Sequence, residues 1–328
     1  MNNQNIWVVF EISDNTPKKV SLELMQKAKK EALSNQVRTV AVIINEKAQE
    51  LASVAFLNGA DDVITVEQTS AFEASGYILE KLSKKYEPGI ILFGATNWGR
   101  DVAANLSARI KCGIACESTD IILDAKANII NWIRPSYTGK LNTNIEISGF
   151  PQIGTFKTGS FPILEASDYP ETGNIIAESV EVPTSVILTE LLGFIPDDEL
   201  TKSNIEDAEI IIAGGRGVGS AEGFRPLFEL AELVGGKVGA SRAAVDEGWI
   251  EYERQIGVSG KTVAPKLYIG FGISGAVPHI AGIKNSQVIV AVNKDKYAPI
   301  FEISNYGIVE DLNEVLPVLI EKVRSALK

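Results

Sequence analysis

The chain reads as an α/β protein of two doubly wound parallel-sheet domains, and three observations predict this. Its 328 residues exceed the ~250–300 at which a single core stops growing and chains divide. Short β-branched runs alternate with helical stretches, stop, and start again in the second half, as helix-covered parallel sheets require. In that half nearly every strand ends in glycine or polar residues, where an open sheet presents its ligand site.

In the first half the strands are "IWVVFEI", "VRTVAVII", "DDVITV" and "GIILFGA", with helices predicted over 17–34, 46–58 and 70–86. "FGATNWGRDVAANLSARI" follows as a strand end, a loop and an amphipathic helix. Residues 117–190 are richer in Thr, Ile, Gly and Pro, with strands around "IINWIRPSY", "LNTNIEIS" and "QIGTFKTGSF", and an antiparallel extension of the first domain is expected there. The acidic, proline-bearing segment 193–208 places the boundary, giving domains over 1–195 and 205–328. Beyond it "AEIIIAGGRGVGS" is a strand running into a glycine loop and "GFRPLFELAELVGG" a helix with a glycine stop. "KVGAS", "KLYIGFGIS" and "SQVIVAVN" are strands. "EDLNEVLPVLIEKVRSAL" closes as a helix in which Pro317 needs the first turn or a kink.

A hydrophobic content of 45% describes an ordinary globular protein. The formal net charge of -11 argues against nucleic acid and anionic membrane surfaces as partners. No transmembrane span is expected, and "MNNQNIWVVFEIS" enters a strand without a signal-like pattern, so a cytoplasmic location is expected. Cys112 and Cys116 are one pair without histidine partners; they cannot complete a tetrahedral metal site and read as buried, inert thiols. With a single histidine, His279, multi-histidine relays are excluded.

The candidate site residues stand at strand exits of the second half: Arg216 in "GGRGVGS", Ser241 and Arg242 in "GASRAAVD", Ser274 to His279 in "SGAVPH" and Asn293 in "VNKD". Each has a plain structural reading. "GGRGVGS" departs from the dinucleotide fingerprint and stands as a turn unless Arg216 marks an anionic ligand. Ser241 and Arg242 read as a helix cap and a solvated cation, "QIGVSGKTVAP" as a connecting loop, and an isolated histidine as a satisfied core or surface residue. Two arginines and a histidine on one edge of an acidic protein favour a bound anion or electron-rich ring.

Taken together, "AGGRG", "GASRAAVD", "QIGVSGKTVAP", "LYIGFGISGAVPHIAGIK", "IVAVNKD", "APIF" and "YGIVEDL" closely resemble the alpha subunit of electron transfer flavoprotein across residues 205–328. "GRDVAANLSARI", "RPSYTGKLNTNI" and "GTFKTGSF" extend the likeness more weakly through the first half. The resemblance implies a Rossmann-like FAD-binding domain at the C-terminus. It puts Arg216 near the FAD phosphates or ribityl chain, Ser241 beside the cofactor and Arg242 against the isoalloxazine ring, where fixed positive charge favours a reduced, anionic flavin. Ile256, Gly257 and Val258 line the ring through their backbone, with the hydroxyl of Ser259 near N5. Ser274, Gly275, Ala276, Val277, Pro278 and His279 wrap the ribityl and pyrimidine side, His279 facing the O2 edge, and Asn293, Asp311 and Leu312 hold the adenosine end.

Arg242, His279 and Ser259 are thus the flavin-tuning residues, and no metal is implied. Many respiratory members carry threonine where Ser259 stands, and serine also occurs in electron-bifurcating members, so the subclass stays open. The family pairs with a beta subunit that carries AMP or a second FAD, and the first domain is expected to serve that contact. Its "GATNWGRD" loop reads as a structural strand exit. The implied function is an electron carrier between a flavin dehydrogenase, such as one acting on acyl-CoA, or NADH, and a downstream acceptor. The chain is redox-active without being a stand-alone substrate-converting enzyme. The rivals are an NAD-dependent Rossmann dehydrogenase and a noncatalytic nucleotide-binding module.

Overall fold

The structure, a computed structural model, describes residues 5–68, 72–124, 129–136, 141–163, 169, 172–189, 205–206 and 208–326. Two compact units emerge, one built on Met1–Ser136 and Asn142–Gly193, the other mainly on Phe194–Lys328. Most of the segment expected to hold the boundary, residues 193–204 and 207, lies outside the described residues.

The first unit is a seven-stranded sheet built from β1 (Ile6–Phe10), β2 (Thr39–Ile44), β3 (Asp62–Val66), β4 (Ile90–Gly94), β5 (Ile114–Ser118), β9 (Gln152–Phe156) and β10 (Asn174–Glu178), in the order β10-β3-β2-β1-β4-β9-β5. All its pairings are parallel. β1 through β4 are buried residue by residue, as strands covered on both faces must be. Helices α1 (Lys19–Asn35), α2 (Ala52–Leu57), α3 (Phe72–Tyr86) and α4 (Asn97–Ile110) connect them. One apolar cluster runs through Val8, Leu24, Ile43 and Phe56, the other through Val9, Val42, Leu79 and Leu106.

The antiparallel extension expected over 117–190 is corrected in part. β6 (Asp120–Asp124) and β7 (Ile129–Ser136) do pair antiparallel, and β8 (Leu141–Ile145) completes their small sheet. β9 and β10 instead join the main sheet in parallel, β9 between β4 and β5. The cause is burial: all five β9 residues are covered. Gly154 admits the indole of Trp132, for a Cβ there would meet Trp132 Cζ3 at 2.0 Å. Trp132 Nε1 donates to Gln152 Oε1 at 2.9 Å, which gives the buried ring its polar partner.

In this unit the strand order reverses between β1 and β4, the crevice where doubly wound sheets take ligands. The chain's own carboxylate stands there. Glu11, just past β1, accepts from Thr96 Oγ1 at 2.5 Å and pairs with Lys18 at 2.6 Å. Thr96 is also the N-cap of α4, accepting from Gly99 N–H at 3.0 Å.

The second unit is six parallel strands: β11 (Ile210–Gly214), β12 (Lys237–Ser241), β13 (Gln255–Ile256), β14 (Leu267–Phe271), β15 (Val288–Val292) and β16 (Tyr306–Ile308), in the order β13-β12-β11-β14-β15-β16. That is the 3-2-1-4-5-6 order of dinucleotide-type sheets, with the reversal between β11 and β14. Helices α5 (Arg225–Leu233), α6 (Arg242–Asp246), α7 (Val277–Ala281) and α8 (Leu312–Ala326) lie between and after the strands. Leu227, Leu230, Leu316 and Ile320 bury one sheet face, while Ile256, Tyr268, Ile289 and Ile300 form the core on the other. Pro317 sits in the second turn of α8, inside the helix and past the first turn. Among the described residues no helix is long and apolar enough to cross a membrane.

Candidate functional site

A cleft of about 530 Å³ opens at the carboxyl ends of β11 to β14, and residues from four strand exits meet in it. Backbone closeness makes the floor. A Cβ at Gly215 would stand 2.3 Å from the Gly272 carbonyl oxygen, and one at Gly217 would stand 2.7 Å from Gly272 Cα. Gly272 itself has φ 60°, a left-handed conformation that glycine adopts at little cost. The loops after β11 and β14 therefore touch at the strand-order reversal, and Arg216 and Ser274 project from them into the cleft.

Arg216, Ser241, Arg242, Ile256, Gly257, Val258, Ser259, Ser274, Ala276, Pro278 and His279 all line this cleft, together with Ala243, Asp246, Gly272 and Ile273, which the sequence did not single out. Five expected residues lie outside the lining. Gly275 is buried at φ 82°, where a Cβ would strike Ile300 N at 2.3 Å, so it shapes the loop. Val277 is exposed at the start of α7. Asn293 donates through Nδ2 to Ile273 O and accepts from Asp295 N–H, each at 2.9 Å, which holds the β14 exit loop in place. Asp311 accepts from Asn313 N–H at 2.9 Å at the start of α8, and Leu312 is buried in the core.

The donor groups of the cleft are largely uncommitted. Neither Arg216, Ser241 nor Ser274 makes a side-chain hydrogen bond or ion pair to another described residue. Ser241 occupies the N-cap of α6, yet its hydroxyl does not cap the helix. Arg242 meets Asp246 at 3.3 Å with both side chains more than half exposed, a pair that solvent screens to little worth. Ser259 Oγ accepts from Gln255 Nε2 at 3.0 Å, and Tyr252 fixes the same turn by donating to Ser259 O at 2.9 Å. Two guanidinium groups against one carboxylate leave the mouth positive within an acidic protein.

His279 is 6% exposed. Its Nδ1 lies 3.1 Å from Ile256 O and its Nε2 2.8 Å from the Tyr268 hydroxyl, so both ring nitrogens are engaged inside the protein. Burial lowers its pKa to about 4, opposed only by the Ile256 hydrogen bond, and the imidazole is neutral at physiological pH. Burial also raises the Tyr268 hydroxyl far above its ordinary value. Tyr268 and Gln255 are supporting residues that strand periodicity alone conceals.

The remaining candidates are quickly placed. Cys112 is half-buried, and burial raises its thiol. Cys116 is exposed, which corrects the expectation of two buried thiols: β5 is an edge strand in which Ala115 and Ser118 are buried and Cys116 between them faces out. Among the described residues no three His, Cys, Asp or Glu side chains gather as a metal site.

The donor set suits a dinucleotide cofactor. Uncommitted guanidinium and hydroxyl groups around glycines that bring the backbone close are what a diphosphate and a planar, electron-accepting ring require. Comparison with known proteins names that cofactor. Residues 204–284 match the electron transfer flavoprotein FAD-binding domain, and residues 6–189 match the electron transfer flavoprotein domain. The chain is 38% identical to electron transfer flavoprotein subunit alpha of Thermoanaerobacterium thermosaccharolyticum, across 98% of both chains. It is also 38% identical to the Bacillus subtilis subunit alpha over 98% of both, and 36% identical to protein FixB of Azorhizobium caulinodans over 99% of this chain and 89% of the relative. A strand-order reversal floored by glycine, lined by arginines and hydroxyls, and matched along nearly the whole sequence leads to one assignment: the chain belongs to the electron transfer flavoprotein family as an alpha subunit, with FAD as its cofactor and electron transfer as its role.

Proposed function

We propose that the cleft at the β11/β14 reversal seats the FAD, and that the chain works beside a beta subunit carrying AMP or a second FAD. In this reading it passes electrons from a flavin dehydrogenase such as an acyl-CoA dehydrogenase, or from NADH, to a downstream acceptor in the cytoplasm. The observation that carries the reading is the convergence of Arg216, Ser241, Arg242, Ser259 and Ser274 on one cleft with most of their donors uncommitted. FAD, when bound, supplies reversible uptake and release of electrons; everything else is the work of the protein's residues.

Arg216 offers paired N–H donors to phosphate oxygens, and Ser241 and Ser274 offer hydroxyls beside it. Arg242 holds a permanent positive charge where negative charge develops on the ring. The Ser259 hydroxyl, already accepting from Gln255, has its own hydrogen to donate toward the ring. The buried backbone at Ile256 and Gly257 keeps water from the ring's inner face. Asn293, Asp311 and Leu312, outside the cleft lining, are assigned to the adenosine end as elements that shape the adjoining loops.

Potentiometric titration of purified protein tests the reading. Arg242→Ala lowers the midpoint potential of bound FAD by on the order of 30 mV, a tenfold change for a two-electron couple. A potential unmoved in this variant overturns the assignment of Arg242, and purified protein without flavin absorbance overturns the placement as a whole.

A further inference from the structure

Tyr268 is a fully buried tyrosine in β14 whose hydroxyl lies 2.8 Å from His279 Nε2, and its surroundings are otherwise apolar. A buried phenol in an apolar core costs stability unless its hydroxyl is used. The geometry determines how it is used. Ile256 O can only accept, so Nδ1 carries a hydrogen. The buried ring is neutral, so Nε2 carries none and the Tyr268 hydroxyl must donate to it.

We propose that Tyr268 is a positioning residue of the flavin site, which fixes the His279 ring from behind and allows it to stand either neutral or protonated. In the neutral state Tyr268 donates to Nε2. When negative charge arrives on a ligand in the cleft, a proton from the acid of the buffered solvent, which is left as its conjugate base in bulk, adds to Nε2, and the hydroxyl turns about its C–O bond to accept from the new N–H. A hydroxyl serves both states because it is donor and acceptor at once; phenylalanine serves neither. Without Tyr268 the charged ring would hold a buried, unsatisfied N–H, the costlier of the two defects. The imidazole would then offset the ligand's negative charge less.

The groups around this pair are few. Tyr268 from β14 is the titratable group in contact, and β13 presents the Ile256 carbonyl. On the cleft itself stand Arg216, from the β11 exit, and Arg242 and Asp246 of α6. The proposal rests on the placement of FAD given above, and the experiment separates the two.

The midpoint potential of bound FAD is measured in the complete protein for wild type, Tyr268→Phe, His279→Gln and the double variant. Tyr268→Phe is expected to lower the potential by a factor of about ten in the equilibrium, ~30 mV for two electrons. In the His279→Gln background the same change is expected to do nothing, since Tyr268 acts through the ring. An equal shift in both backgrounds shows a packing role and overturns the proposal, as does no shift in either. If His279→Gln and Arg242→Ala both leave the potential unmoved, the FAD placement fails; if they move it and Tyr268→Phe does not, only the present inference fails.

A second measurement holds even where Tyr268→Phe folds poorly. The chain has one histidine, so ¹⁵N-histidine labelling reports His279 through the signal that vanishes in His279→Gln. Hydrogen on Nδ1 with bare Nε2 is expected for oxidised wild type at neutral pH. Hydrogen on Nε2 alone overturns the assignment of Tyr268 as donor.

Discussion

The single histidine carries a stability signature of its own. Burial lowers its folded-state pKa from the ordinary 6.5 to about 4. Below about 6.5 the unfolded chain binds a proton that the folded chain refuses until about 4. Stability is therefore full above that window and falls as pH drops through it, by about 3 kcal/mol at the lower end. His279→Gln is expected to flatten this part of the stability curve, measured by urea unfolding at a series of pH values. Arg216 is expected to act on affinity. Charged hydrogen bonds contribute about 1.5–3 kcal/mol, so Arg216→Ala should weaken FAD binding about tenfold to a hundredfold by equilibrium dialysis, with little change in potential.

At this scale the sequence showed the cleft well, because strand exits are marked by residues that strands avoid: Arg216, Ser241, Arg242 and Ser274 all interrupt apolar runs. What it hid were residues whose partners are distant. Tyr268 looks like any aromatic strand residue until His279, eleven positions on, is folded over it. Nor could the sequence show that Asn293 and Asp311 also hold loops in place, through Ile273 O and Asn313 N–H.

Among elements, β11, β12, β14 and β15 with helices α5 and α8 were legible from period and punctuation, whereas β13, inside a stretch that reads as a connecting loop, and the three-residue β16 were too short to carry a period. Gly235 at φ 67° follows the end of α5 as the glycine stop predicted. The place of β9 was not legible, since "QIGTF" carries glycine and threonine like an edge strand. Its central position comes from Trp132 covering Gly154, a contact between segments twenty-two residues apart that no local pattern encodes. The loop contact at the cleft floor yields a sharper test. Gly215 has ordinary backbone angles at φ -107°, so Gly215→Ala would be harmless in isolation. The clash with Gly272 O makes it costly, by about 1–3 kcal/mol as overpacking does. The expected outcome is a less stable C-terminal unit and lost FAD affinity, checked by denaturant unfolding and flavin absorbance.

For the whole molecule, two separate cores predict that a cofactor of one unit stabilises that unit first. FAD at a hundred times its dissociation constant adds about 2.7 kcal/mol to the unit that binds it. Thermal unfolding followed by hydrogen exchange should show protection rising in β11 to β15 with FAD, while β1 to β4 respond less. Uniform protection across both sheets would show that the units unfold as one. The net charge of -11 belongs to this scale as well: it repels polyanions at a distance, while the two arginines of the cleft act only close by.

Glu11 gives the two sheets different dependencies on their surroundings. At the crevice of the N-terminal sheet the negative group is covalently part of the chain, and tethering supplies it at an effective concentration no dilute metabolite matches. That half therefore needs no diffusible anion at its crevice, because Glu11 is already held there by Thr96 and Lys18. The two halves thus differ in kind: one crevice is closed by the chain itself, the other is built for a separate molecule, and only the second can answer to that molecule's concentration.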